Sequence, residues 1–216
     1  MAHIHLEDGS FSLFFVLLWW AAAIILVCIA IYLLRSEKKP DRRKITLAAF
    51  CTAAAFAIFQ VSLPLFGGVH LNLTPLIGIL AGPAAGSLVV LIINILSSAI
   101  GHGGWGLIGA NTLVNIVEVV VGYSCFKLLK SSIPDLFSRA GISTIAGLLC
   151  GNLVMILIIV ISGVQGVNQS TGQILTGLSI IAAVNMGVAV IEAFITGLIV
   201  AYIGKVRPDL LGEGRE

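Results

Sequence analysis

The chain has 216 residues, of which 58% are hydrophobic and only 10% are charged, and its formal net charge is +2. A mean hydropathy of +1.10 lies far above the range of soluble globular domains and excludes that class, and the small net charge gives no indication of nucleic-acid binding. The composition therefore predicts an all-α integral membrane protein with a single transmembrane domain.

Seven transmembrane helices are predicted from the uncharged runs and from the residues that interrupt them. The first run, from Phe11 to Tyr32, has no charged residue and, at about 1.5 Å per residue, is long enough to cross a hydrocarbon core of about 30 Å. No basic residue precedes it and no small-residue cleavage site follows, so we interpret it as a retained helix and not a signal peptide. The predicted helices cover residues 11–34, 45–63, 70–81, 83–100, 107–127, 141–162 and 173–203.

The third and fourth predicted helices are short, and the chain must turn between them at Gly82-Pro83. Proline is tolerated in the first turn of a helix, and a preceding glycine supplies the turn. A six-helix alternative would join residues 70–100 into one helix and would place basic residues on both sides of the membrane.

The basic residues support seven helices, because with that number all twelve fall on one side. By the positive-inside rule this side is the cytoplasm of a prokaryotic cell. The amino terminus and all four histidines are then outside the plasma membrane, and the carboxyl terminus is cytoplasmic. The twelve residues are Arg35, Lys38, Lys39, Arg42, Arg43, Lys44, Lys127, Lys130, Arg139, Lys205, Arg207 and Arg215.

The sequence has no GxxxxGK[ST] phosphate loop, no HExxH and no GxSxG. We therefore predict that the chain is not an enzyme and that any ATP is hydrolysed by another protein. A serine pair at 97–98 near His102 is too weak a signal for an intramembrane hydrolase. The four cysteines are scattered within apolar runs without paired spacing, which indicates packing and neither a metal site nor disulfides.

The histidines carry the functional prediction. His3 and His5 stand beside the amino terminus, and His70 and His102 fall on the same predicted side of the membrane. A single loop histidine is usually only solvated, but four on one side near a free amine indicate a transition-metal site. Nitrogen ligands suit nickel, copper, zinc and cobalt better than magnesium or calcium, which prefer oxygen.

The first residues also predict a coordination geometry. A terminal amine followed closely by a histidine can chelate one metal through the amine, the intervening backbone nitrogen and the imidazole. Such a ligand set is close to planar because the peptide unit is planar. A planar nitrogen field favours nickel(II) or copper(II) over tetrahedral zinc.

Three stretches resemble the CbiM/NikM family, the substrate-binding membrane subunits (S components) of energy-coupling-factor (ECF) transporters for nickel and cobalt. They are His3-Ile4, GGVHLNLTPLIGILAGPAAG from Gly67 to Gly86, and GHGGWGLIGANTLVN from Gly101 to Asn115. The resemblance covers nearly the whole chain. It implies that nickel(II) or cobalt(II) is a transported ligand and not a cofactor. It also implies three kinds of partner: a coupling transmembrane subunit, two cytoplasmic ATPases and, in some systems, a small accessory membrane protein.

The resemblance further implies a ligand set and an organisation of the chain. The ligands would be the amine of Met1, the backbone nitrogen and imidazole of His3, and the imidazole of His70. The organisation is an extracellular metal-binding segment, the family's additional first helix, a basic cytoplasmic loop, a six-helix core and a cytoplasmic tail. These correspond to residues 1–10, 11–34, 35–44, 45–203 and 204–216.

One departure from the family leaves the ligand set open. The family begins Met-His, whereas this chain begins Met1-Ala2-His3. Removal of the initiator methionine would make Ala2 the terminus and restore the family spacing. If Met1 stays, its amine, two backbone nitrogens and the His3 imidazole could complete a square, leaving His70 surplus or axial. The third alternative is that the extra residue displaces His3 and abolishes binding.

Weaker candidates accompany these ligands. His102 either orients a ligand imidazole or belongs only to a glycine-rich turn. His5 is a further candidate ligand, because alternate residues of an extended segment point the same way. Asn72 and Asn111, like Asn115, either hydrogen-bond the metal-binding segment or bridge neighbouring helices.

The acidic residues fall into two groups. Near the terminus we expect Glu7 and Asp8 to be solvated, the alternative being that they attract cations. Glu118 and Glu192 lie within predicted helices, where burial of an ionisable group is costly. We expect both to be protonated and hydrogen-bonded between helices, the alternative being a contact with a partner subunit or a cation path.

Ala49, Ala53 and Ala57 are spaced four residues apart in the second predicted helix. Small residues at this spacing allow another helix to approach closely, which serves either partner docking or packing within the chain. Among the metals, nickel is slightly favoured over cobalt because the predicted ligands are planar. The competing function is a stand-alone divalent metal channel or carrier, which would need a polar path through the membrane.

Overall fold

A computed structural model describes residues 8–36, 42–59, 62–63, 69–101, 103–165 and 170–211. Within these residues the chain forms six helices and one short two-stranded ladder, and five helical regions are long and apolar enough to cross a membrane. The described residues confirm an all-α membrane protein. The helices are α1 (Leu13–Ser36), α2 (Arg42–Phe59), α3 (Thr74–Ala99), α4 (Ile108–Leu128), α5 (Leu136–Ser162) and α6 (Thr171–Val206), and the strands are β1 (Ser62–Leu63) and β2 (Val69–His70).

Helix α1 lies at the edge of the bundle. Only Ala23, Val27 and Ala30 are buried, whereas large side chains such as Leu17 and Ile25 are more than half exposed. A helix that is apolar on all sides is suited to lipid on one side and protein on the other. The three buried residues let α1 pack on α3 and α4.

Helix α3 is broken at Gly82, whose backbone is at φ 81° and ψ 169°, immediately before Pro83. In a straight helix Ile77 and Gly86 would be about 13.5 Å apart along the axis. A Cβ on Gly86 would instead lie 3.5 Å from Cγ2 of Ile77, so the chain folds back at Gly82. This confirms the predicted turn at Gly82-Pro83, and residues 74–81 and 83–99 take the place of the third and fourth predicted helices.

The helices pack in chain order. Helix α3 contacts α4, α4 contacts α5 and α5 contacts α6, while α2 packs on α3. Residues 8–10, 103–107 and 163–165 share one end of this bundle, which we call the amino-terminal end. At the opposite end Lys127 Nζ donates to the main-chain oxygen of Leu211 at 3.2 Å, and the Leu211 side chain is buried.

The predicted boundaries around residues 60–73 were wrong. The second helix ends at Phe59 and not at 63, and the third begins at Thr74 and not at 70. Between them Ser62 pairs with His70, and Leu63 with Val69, in an antiparallel ladder. The intervening sequence PLFGG contains one proline and two glycines, which disfavour a helix and leave the chain free to turn.

Helix α5 begins five residues before its predicted start at 141. Asp135 caps it by accepting a hydrogen bond from the Ser138 N–H at 2.8 Å. Hydrogen bonds from the hydroxyl and N–H of Ser138 lower the pKa of Asp135. Arg139, assigned to a loop by the sequence, is instead buried in the first turn, where its guanidinium lies 4.3 Å from the centre of the Phe126 ring.

Candidate metal-binding site

The predicted ligands are only partly within the described residues. His70 is described, whereas Met1, Ala2, His3, His5 and His102 lie outside the described residues, as does Glu7. In the described ranges no group of three or more histidine, cysteine or acidic side chains converges to form a metal site. Of the predicted ligands, His70 is therefore the one whose surroundings lie within the described residues.

His70 ends strand β2 and is only 8% exposed. The residues after it run into the interior of the bundle, where Asn72, Leu73 and Thr74 are all buried. We call residues 70–74 the His70 segment. This segment leads directly from the short β-ladder to the start of α3. The candidate ligand His70 is therefore buried and lies next to residues of the core.

Glu192 on α6 binds the main chain of the His70 segment. Its two carboxylate oxygens accept hydrogen bonds from the N–H groups of Asn72 at 3.0 Å and Leu73 at 3.1 Å. Leu73 is the N-cap residue of α3 and makes no side-chain cap hydrogen bond. Glu192 therefore binds the N-cap residue and the residue before it, from a position about 120 residues further along the chain.

Glu118 on α4 binds the same segment from another helix. The Thr74 hydroxyl donates to Oε2 of Glu118 in a short hydrogen bond, and both side chains are buried. Glu118 also packs against Gly151 of α5, where any Cβ would collide with it. Both acidic residues are thus hydrogen-bonded to a part of the chain outside their own helix, as expected, while their protonation stays a prediction. The three donors, from Asn72, Leu73 and Thr74, all belong to the His70 segment.

A chain of amide side chains extends from Asn72 along the contact between α3 and α4. The Asn72 amide donates to Asn115 at 3.4 Å, Asn115 to Asn94 at 3.5 Å, and Asn94 to the Thr112 hydroxyl at 3.2 Å. Asn111 is buried beside Thr112. Asn72 therefore joins the His70 segment to a buried polar network, whose members are far apart in the sequence.

The residues after the predicted terminal ligands are anchored at the amino-terminal end of the bundle. The Asp8 carboxylate accepts hydrogen bonds from the N–H groups of Trp105 at 3.2 Å and Gly106 at 2.9 Å. A Cβ on Gly104 would collide with this carboxylate, so only glycine leaves room for it. The main-chain oxygen of Ser10 accepts a hydrogen bond from Gln165 at 2.8 Å.

Asp8 is a residue whose contacts the sequence analysis missed. Its side chain is exposed, as expected, but it joins the amino-terminal segment to the loop before α4. The signal in the sequence is weak: GHGGWG supplies small residues and free N–H groups ahead of a helix, where an acidic side chain is a suitable acceptor.

The predicted docking residues share one exposed face of α2. Ala49, Ala53 and Ala57 are all exposed, whereas Cys51 and Ala55 on the same helix are buried against α3. Among the described residues, α2 therefore packs on α3 through Cys51 and Ala55 and not through the three predicted docking alanines. Within the part of the chain that the structure describes, the three alanines remain exposed.

Comparison with known proteins places the chain among metal transporters. A family model described as "Cobalt uptake substrate-specific transmembrane region" (CbiM) matches residues 5–210. A protein of Archaeoglobus fulgidus named as a fused nickel transport protein, NikMN, is 28% identical over 97% of this chain and 68% of its own length. Another protein of that organism, named as a cobalt transport protein, CbiM, is 29% identical over 81% of this chain and 82% of its own.

Two solved structures share the fold. A crystal structure of a transition metal transporter superposes with a TM-score of 0.80 at 20% identity and covers 97% of this chain and 96% of its own. A truncated transition metal transporter also superposes with a TM-score of 0.80, covering 94% of this chain and 99% of its own. At this level of identity the likeness concerns the fold.

Proposed function

From the premise that this chain belongs to the CbiM family of cobalt-uptake transmembrane regions, we propose that it is the S component of an ECF-type importer. It binds nickel(II) or cobalt(II) outside the cell, with nickel slightly preferred. Its ligands are the terminal amine, the backbone nitrogen and imidazole of His3, and the imidazole of His70. The observation that carries the proposal is the burial of His70 in a segment bonded to two other helices.

The position of Asp8 supports the contribution of the terminal residues. His3 is five positions before Asp8, and an extended chain over five positions spans at most about 18 Å. Asp8 and Ser10 are bonded at the amino-terminal end of the bundle, and we propose that His3 lies within this reach of it. A ligand tethered in this way loses less freedom on binding metal than one on an unanchored tail.

The identity of the terminal ligand follows from processing. We propose that removal of Met1 makes Ala2 the terminus and puts one backbone nitrogen between the amine and the His3 ring. If Met1 stays, the terminal tripeptide can supply four nitrogens and His70 becomes axial or surplus. Mass spectrometry of the purified protein distinguishes these states, and the effect of His70→Ala on nickel affinity then shows whether His70 is a ligand.

The test of the proposed function is a nickel titration of the full chain in detergent, without ATP. We expect wild-type protein to bind nickel, His3→Ala and His70→Ala to weaken binding strongly, and Tyr202→Phe, a change at an exposed residue of α6, to have no effect. Unchanged affinity in both histidine variants would contradict the ligand assignment. Metal-edge anomalous scattering from soaked crystals would identify the element and the ligating nitrogens.

Nickel affinity should also fall as pH is lowered. Imidazole and the terminal amine must be deprotonated to bind metal, and their ordinary pKa values are about 6.5 and about 8. We expect the apparent affinity to decrease steadily from pH 8 to pH 5. An affinity independent of pH over this range would exclude imidazole and amine ligands.

We further propose that import requires partners, because the sequence has no phosphate-binding loop. These are a coupling transmembrane subunit, two cytoplasmic ATPases and, in some systems, a small accessory membrane protein, and the alanine face of α2 is the proposed contact. The amino terminus is outside the cell and the basic residues are cytoplasmic. Nickel uptake into vesicles containing this chain alone would instead favour the stand-alone channel or carrier.

A further inference from the structure

Leu73 has an unusual backbone conformation next to the candidate ligand. With φ 51° and ψ 23° it is the one non-glycine residue at positive φ in the part of the chain that the structure describes. This left-handed conformation is unfavourable for any residue that has a Cβ. It persists only where surrounding groups hold it, and such positions cluster at functional sites.

Glu192 is the group that holds it. The carboxylate is fully buried and accepts from the N–H groups of both Asn72 and Leu73, one on each oxygen. Leu73 has no local cap that could replace it. Two hydrogen bonds to successive N–H groups determine the orientation of two peptide planes, and hence the direction from which the chain arrives from His70.

His70 is then restrained on both sides. On one side it pairs with Ser62 in the β-ladder, and on the other the chain is bound by Glu192 two and three residues later. No contact of Glu192 with the His70 ring is needed for this effect, because the restraint passes through the main chain. We propose that Glu192 is a positioning residue that holds His70 in the orientation required to bind the metal.

This proposal rests on the proposed function, and a double-mutant cycle tests it. The full chain is titrated with nickel in detergent as wild type, Glu192→Gln, His70→Ala and the double variant. In a carboxamide the oxygen accepts but the NH2 group donates, so the N–H that faces the NH2 group loses its acceptor. We therefore expect Glu192→Gln to weaken binding by about 10- to 100-fold, as for other residues that orient metal ligands. In the His70→Ala background the same change should have no further effect.

The controls separate positioning from folding. Glu192→Asp keeps the carboxylate and should restore part of the affinity. Asn152→Leu removes another buried interhelical hydrogen bond, the one accepted from Asn185 on α6 at 2.9 Å, and should leave nickel affinity unchanged. Gel filtration and thermal unfolding report whether each variant is folded, and Glu192→Asp replaces Glu192→Gln in the cycle if the latter does not fold.

A second readout works without metal. Modification of His70 by an imidazole-specific reagent, followed by peptide mass spectrometry, should be several-fold faster in Glu192→Gln than in wild type, because His70 is only 8% exposed when its segment is held. A folded variant with unchanged nickel affinity and unchanged His70 reactivity would overturn the proposal. So would an equal loss of affinity in the His70→Ala background. Failure of wild-type protein to bind nickel or cobalt would contradict the proposed function, while the reactivity of His70 would still decide the role of Glu192.

Discussion

Single buried residues explain how a membrane core tolerates acidic side chains. Glu118 and Glu192 are both fully buried, and a buried carboxyl group is costly unless it is hydrogen-bonded. Each accepts hydrogen bonds from the residues that follow His70, and each comes from a different helix. The acidic residues are thereby stabilised by hydrogen bonds from one segment of the chain.

The substitution Thr74→Val tests how much the hydrogen bond from Thr74 to Glu118 contributes to stability. The change keeps the shape of the side chain but removes the donor to Glu118, so we expect the free energy of unfolding in detergent to fall by about 1–3 kcal/mol. Thr144→Val is the matched control: Thr144 is also buried, but its hydroxyl bonds only the Ala140 oxygen of its own helix at 2.9 Å. Equal losses in the two variants would show that the Thr74–Glu118 bond has no special contribution.

Two features of the fold bring parts of the chain together, one through local backbone geometry and one through a long-range side-chain contact. The break in α3 turns the chain back between residues 74–81 and 83–99, which brings the His70 segment and the start of α3 into the bundle. The Asp8 contact joins the amino-terminal segment to the loop before α4. The break in α3 therefore determines the path of the chain within the bundle, and the Asp8 contact holds residue 8 against the loop before α4.

Alanine at position 82 should destabilise the protein through the backbone alone. A Cβ on Gly82 would meet nothing within 4 Å, but φ 81° and ψ 169° belong to a region that residues other than glycine rarely adopt. We expect a loss of about 1–3 kcal/mol in the free energy of unfolding. Gly177→Ala, also in open space but within helix α6, should stabilise the protein by up to about 1 kcal/mol. The same sign for both changes would contradict this explanation.

Alanine at position 104 should displace Asp8 and loosen the amino-terminal segment. The new Cβ would lie 2.9 Å from Cγ of Asp8. Loss of the Asp8 bonds, worth about 1 kcal/mol, corresponds to roughly fivefold weaker nickel binding. Asp8→Ala should have a similar effect that does not add to it, and Gly172→Ala at the same end should have none. Additive losses would mean that Gly104 acts independently of Asp8.

The central helices of the molecule are closely packed, and the outer helices expose apolar faces suited to contact with lipid. Helices α3 to α5 contain most of the buried residues, while α1 and α6 expose much of their length. On α2 the exposed residues include Ala49, Ala53 and Ala57, whose small side chains leave room for another helix, and the large side chain of Phe50. These observations suit a subunit that binds its ligand within one bundle and contacts partners through its sides.

A larger side chain on the alanine face should separate assembly from metal binding. We expect Ala53→Leu to reduce co-purification with the coupling subunit and ATPases and to leave nickel affinity of the isolated chain unchanged. Ala183→Leu, at an exposed alanine of α6, is the control and should affect neither property. Unaltered assembly in the Ala53 variant would exclude this face as the contact.

The sequence by itself determined the membrane class and the turn at Gly82-Pro83. These depend on properties of short segments: hydropathy over the thickness of a bilayer and the backbone preferences of glycine and proline. The four histidines indicated a transition-metal site, and the resemblance of the VHL stretch to the family singled out His70 as a candidate ligand. The ligation by His3 and His70 stays a prediction. The partners of Glu118, Glu192 and Asp8 were decided only by the tertiary structure, because each bond joins residues about 40 to 120 positions apart. Hydrogen bonds over such separations depend on how helices pack, which no local pattern specifies.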